Sequence, residues 1–137
     1  MSFREKSAWI SFLTLLPVSA IYFWRVGQTI AGHSRPPITL FFLMVGTLVV
    51  AEVVLHVLIA ARSPKEARAP RDERERLIDL KATRVAFAVL LFGAMGSVGT
   101  IHLGFGTWRM SQATLFAVAV AELTKFGSRI VLYRRDA

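Results

Sequence analysis

The chain has 137 residues, enough for one compact domain, and 54% of them are hydrophobic. It has no cysteine, which excludes disulfides, thiolate metal sites and thiol chemistry. The formal net charge is +8, but the cations gather at the ends of apolar runs. The charge therefore reads as membrane topology and not as direct nucleic-acid binding.

Arg4 and Lys6 precede a first span predicted from Ala8 to Trp24. A basic start, an apolar run and Val18-Ser19-Ala20 also have the layout of a secretory signal. The run is read here as a retained span, because it has a counterpart later in the chain. Pro17 lies inside it and is expected to kink the helix and free a backbone carbonyl, which a neighbouring Ser or Thr can satisfy. Ser11, Thr14 and Ser19 read as helix-packing hydroxyls. Gly32-His-Ser-Arg-Pro-Pro37 breaks the pattern, and a second span follows from Thr39 to Ala61.

The stretch from Arg62 to Arg84 is the only long polar segment. Its eight cations are Arg62, Lys65, Arg68, Arg71, Arg74, Arg76, Lys81 and Arg84. Pro70 and the acids just after it suit the start of a helix. Asp72 and Arg76 are four apart and can pair, and Leu77, Ile78 and Leu80 form an apolar stripe. The spacing predicts a cytoplasmic amphipathic helix leading into the third span. That helix is a surface anchor or a docking site for a soluble protein, centred on Asp72, Glu73, Arg74, Arg76 and Lys81.

The third span is predicted from Val85 to Leu103. After a tight break at Gly104-Phe-Gly-Thr107 the fourth runs from Ser111 to Tyr133. Each of the four supplies roughly the 20 residues a bilayer requires. Trp9, Tyr22, Trp24, Trp108 and Tyr133 fall near span ends, where amphipathic rings favour the interface. Gly93, Ala94, Gly96, Ser97, Gly99 and Thr100 line the third span with small residues. Gly93, Gly96 and Gly99 are assigned to close helix packing, with a pore lining or ligand groove as the lesser reading.

The two halves echo each other. Ala51-Glu52 recurs as Ala121-Glu122, and Lys6-Ser-Ala-Trp-Ile-Ser-Phe12 as Lys81-Ala-Thr-Arg-Val-Ala-Phe87. Arg62 closes the second span as Leu132, Tyr133 and Arg134 close the fourth. The units are 6–62 and 81–135, joined by the link 62–84. Cations are dense in the link and at both termini, and sparse in the turns, where only Arg25, Arg35 and Arg109 occur. The positive-inside rule then places the link and both termini in the cytoplasm. Two-span hairpins entering from one side make a parallel repeat, unlike the inverted repeats of many transporters.

Asp72-Glu-Arg-Glu-Arg-Leu-Ile-Asp-Leu-Lys81, Ala121-Glu-Leu123 and the closing Val131-Leu-Tyr-Arg-Arg135 together resemble a family of small four-helix prokaryotic membrane proteins. That family is known as a domain of unknown function. The resemblance covers most of residues 70–135. It implies a four-span fold and supplies no activity. Some family members lie beside genes for small helix-turn-helix regulators.

Glu52 is the sharpest single residue. A charge at a helix centre costs roughly 2.5–3.5 kcal/mol on insertion scales, so Glu52 is expected to be neutral, paired or open to a cavity. His56 lies one turn on along the same face. The pair can ligate a metal, relay a proton or form a local hydrogen bond. Glu122 is the repeat mate, with Phe126 at the position of His56. Lys125 and Arg129 offer Glu122 basic partners on its own face, or snorkel to the membrane surface. A proton or ion pathway through Glu52, His56, Glu122 and Lys125 stands beside a structural role. His33 and His102 sit at other depths, which gives no metal or haem pattern, and no cofactor is expected.

No phosphate loop, nucleophile elbow or His-Glu-x-x-His motif occurs, so an enzyme is not expected. The expected architecture is an all-α integral membrane protein, a four-helix bundle of two tandem hairpins in the plasma (inner) membrane. Three functions fit. One is a binding or regulatory protein that docks a cytoplasmic regulator. Another is a small oligomeric proton- or cation-coupled transporter or channel using Glu52 and Glu122, as a homodimer, since four spans hardly enclose a pathway alone. The last is an accessory subunit of a membrane complex.

Overall fold

A computed structural model describes residues 3–70 and 72–135, apart from the side chains at 66 and 67. Arg71, counted above among the cations of the link, lies outside the described residues. The described chain is all helical. The helices are α1 (Phe3–Ala31), α2 (Ile38–Arg62), the short α3 (Pro64–Arg68), α4 (Glu73–His102) and α5 (Gly106–Arg135). They form two compact units, Met1–Ala69 and Pro70–Ala137.

In the first unit α1 packs against α2. α1 is longer than the apolar run that announces it. It continues through Pro17 and past Arg25 and Gln28, and it ends in a Schellman turn. His33 takes the left-handed conformation (φ 57°). Its N–H donates to the Ile30 carbonyl at 3.0 Å, and the Ser34 N–H donates to the Thr29 carbonyl at 3.0 Å. Pro36 and Pro37 then hold the chain extended, and Pro37 (φ −65°, ψ 142°) leads into α2.

In the second unit α4 packs along α5. Asp72 caps α4, its carboxylate accepting from the Glu73 N–H at 2.7 Å. Glu73 and Glu75 place negative charge in the first turn, where the helix dipole favours it. The helix therefore starts at Glu73, three residues after Pro70, and Asp72 uses its carboxylate on the cap and not on Arg76. From Glu73 the helix runs without interruption to His102, so the charged segment and the third apolar run are one rod. It closes in a second Schellman turn. Gly104 has φ +80°, and the Phe105 N–H reaches the Thr100 carbonyl at 3.1 Å.

Among the described residues three helices are long and apolar enough to cross a membrane: α1, α2 and α4. α2 has no buried residue at all, and Phe42, Leu43, Val50, Val53 and Val57 are all exposed on it. Exposed apolar surface on this scale is compatible with hydrocarbon as the surrounding solvent. α5 is as long as α4, but Glu122, Lys125 and Arg129 interrupt its apolar stretch, and it is not one of the three.

Candidate functional site

α1 and α2 run antiparallel, so one turn forward on α1 is one turn back on α2. Ser7 and Ser11 are four apart on one face of α1, and Glu52 and His56 are four apart on one face of α2. The packing sets these two pairs against each other. The Ser7 hydroxyl lies 2.8 Å from Nε2 of His56. The Ser11 hydroxyl donates to Oε2 of Glu52 at 2.9 Å. Along α2, His56 Nδ1 is 2.8 Å from the Glu52 backbone carbonyl and 3.2 Å from its Oε2.

The chemistry of these contacts assigns the tautomer. A carbonyl oxygen only accepts, so Nδ1 carries a proton. In the neutral ring Nε2 is then an acceptor, and Ser7 donates to it. Ser11 is buried, while the side chains of His56 and Glu52 are 36% and 31% exposed. The result is a polar cluster in which Ser7 donates to His56, His56 donates to the Glu52 carbonyl and lies 3.2 Å from its carboxylate, and Ser11 donates to that carboxylate. It can take up or pass on a proton through Nε2, with Ser7 as the adjoining hydroxyl. Its order of hydroxyl, imidazole and carboxylate also matches that of a nucleophilic triad. Ser7 lies within α1, however, where its own N–H is part of the helix ladder and is not free to stabilise an oxyanion.

The sequence singled out Glu52 and His56 but read Ser11 as packing and passed over Ser7. The structure gives both serines polar partners. The available signal was the equal four-residue spacing of the two pairs.

The equivalent place in the second unit is built differently. Ala82 and Ala86, which stand where Ser7 and Ser11 stand in the echoed segment, are buried in the α4–α5 unit. Glu122 turns to its own helix, accepting from Lys125 Nζ at 3.2 Å. Arg129 does not join Glu122. It crosses to α4 and forms an ion pair with Asp79, in which both side chains are about one-quarter to one-third exposed (25% and 30%). The cationic groups of Lys125 and Arg129 lie 5.5 and 5.6 Å from the ring centre of Phe126, over its face. Asp79 was not among the residues singled out from sequence.

Higher up the same pair of helices, Gly93 faces Ala117 so closely that a Cβ on Gly93 would fall 2.5 Å from that of Ala117. Buried Ser97 lies 3.0 Å from the Thr114 hydroxyl. Gly96 and Gly99 meet nothing within 4 Å of where their Cβ atoms would be. At the start of α4, Asp72, Glu73, Arg74 and Arg76 are exposed, as is Lys81 two turns along. Among the described residues no group of three or more His, Cys, Asp or Glu side chains is placed to hold a metal ion.

No family model, curated protein or solved structure matches the chain.

Proposed function

We propose that the chain is an integral membrane protein that docks a soluble cytoplasmic protein on the charged ends of α4 and α5. The observation that carries this reading is the unbroken α4. Its 30 residues extend about 45 Å, against a hydrocarbon layer of about 30 Å. The surplus is the first third of the helix, which holds Glu73, Arg74, Glu75, Arg76, Asp79 and Lys81, with Arg84 just beyond it. The Asp79–Arg129 pair braces this segment against α5. A stiff, charged surface of this kind binds a partner with little ordering cost.

In this reading α5 is the fourth span. Its ionisable residues support that role, because Glu122 is paired with Lys125 and Arg129 with Asp79. The cation-rich link and both termini then face the cytoplasm, and the two hairpins form a parallel repeat in the plasma membrane. The test is affinity purification from native membranes, comparing the wild type with Arg74→Glu/Arg76→Glu. The expected result is a stoichiometric soluble protein that the variant loses. Association unchanged by the reversal removes the basis for docking.

The Ser7–His56–Glu52–Ser11 cluster favours a second reading, proton- or cation-coupled transport by a homodimer. Glu52→Gln in proteoliposomes tests it. Loss of flux supports the reading, and full flux excludes Glu52 from it.

A further inference from the structure

A groove of about 640 Å³ runs between α4 and α5 near their charged ends. Lys81, Arg84 and Val85 form one wall, and Gly127, Ser128 and Val131 are part of the other. The wall of α5 is recessed there, because Gly127 has no side chain and Ser128 a small one. The lining is almost wholly apolar, so Lys81 and Arg84 contribute their aliphatic stems and leave their charged heads at the rim.

These two cations differ from those beside them. Lys125 is paired with Glu122, and Arg129 with Asp79. Lys81 and Arg84 are exposed, three residues apart on one face of α4, and have no acidic partner among the described residues. They also sit where the charged third of α4 gives way to its apolar remainder, at Val85. Two other grooves, one on α2 and one between α1 and α2, are lined without any charged residue. An apolar trough with two uncompensated cations at its mouth is complementary to an amphiphile with an anionic head.

We propose that this groove binds one anionic phospholipid, with its acyl chain in the trough and its phosphate against Lys81 and Arg84. The inference rests on the membrane reading above. Basic pockets between helices on the cytoplasmic side recognise anionic headgroups in this way. A lipid there would also cover the exposed seam between α4 and α5 next to the docking surface.

The test uses the full chain. Alkaline extraction of native membranes comes first. Native mass spectrometry of the purified protein follows, with phosphatidylglycerol and phosphatidylcholine supplied at equal concentration. The wild type is compared with Lys81→Gln/Arg84→Gln and with Lys65→Gln/Arg68→Gln, which removes the same charge elsewhere. The wild type should retain one phosphatidylglycerol with roughly thirtyfold preference, at the usual worth of two cations near a membrane surface. Lys81→Gln/Arg84→Gln should lose that preference and the control should keep it. Equal retention by all three proteins, or equal loss in the two variants, overturns the site. A chain released by alkali overturns the membrane reading and the inference together. A chain that stays embedded and shows no preference overturns the inference alone.

Discussion

The hydroxyl of Ser7 and Nε2 of His56 lie 2.8 Å apart across the α1–α2 contact, although 49 residues separate them in the chain. Their neighbours one turn away, Ser11 and Glu52, meet at 2.9 Å. Two short hydrogen bonds in register fix how far α1 is rotated and slid against α2. Each serine reaches its partner on α2 in that register, which makes the polar contacts a specificity device as well as a candidate proton site.

Removing the Ser11 hydroxyl takes from the Glu52 carboxylate its donor on α1. Ser11→Ala should cost about 1–3 kcal/mol, the loss of a hydrogen bond to a half-buried carboxylate. Ser11→Ala/Glu52→Leu should cost less than the two single changes added together, by about 1 kcal/mol. Thermal unfolding in detergent measures both. Strict additivity would show that the two side chains do not depend on each other.

The glycines of α4 separate into two kinds. At Gly93 a Cβ would overlap that of Ala117 at 2.5 Å, so Gly93→Ala must push α4 and α5 apart. The expected loss is about 1–3 kcal/mol, as for other overpacked sites. At Gly96 there is open space. Gly96→Ala should therefore be neutral or gain up to about 1 kcal/mol of helix propensity. A comparable loss at Gly96 would show that another helix or a second copy packs on that face.

The Asp79–Arg129 pair spans 50 residues and joins the charged ends of α4 and α5. Its side chains are partly exposed, which places its worth between that of a surface pair and a buried one. Arg129→Gln should cost about 1–3 kcal/mol. The exchange Asp79→Arg/Arg129→Asp should recover part of that cost, and unfolding in detergent reads it. If docking depends on this brace, Arg129→Gln also weakens partner retention while leaving the charges at Arg74 and Arg76 in place.

The parts of this fold that rest on local rules were legible in the sequence. The two turns announce themselves through Gly32 to Pro37 and through Gly104 to Thr107. The Glu122–Lys125 pair needs only the spacing of one helix. The continuity of α4 follows from acids in its first turn and no later breaker before Gly104. What depends on the register between helices was not legible. Nothing local tells which face of α1 meets Glu52, so Ser7 and Ser11 were missed. Asp79 looks like one more charge in a polar link until α5 brings Arg129 to it. Gly93, Gly96 and Gly99 look alike in sequence, and only the neighbour at Ala117 distinguishes Gly93. The ends of α1 extend well beyond its apolar run, because helix length is set by caps while span length is set by hydropathy.

The proposed four-span protein requires α5 to cross the membrane beside α4. The chain has no cysteine, so a single introduced one reports its own side of the membrane. Phe105→Cys and Arg135→Cys should be prepared separately and treated in intact cells with a membrane-impermeant thiol reagent. The account predicts labelling at 105 from outside, and at 135 only after the cells are permeabilised. Labelling of both positions from the same side would contradict it, because α5 would then lie on the membrane or outside it and the chain would have three spans.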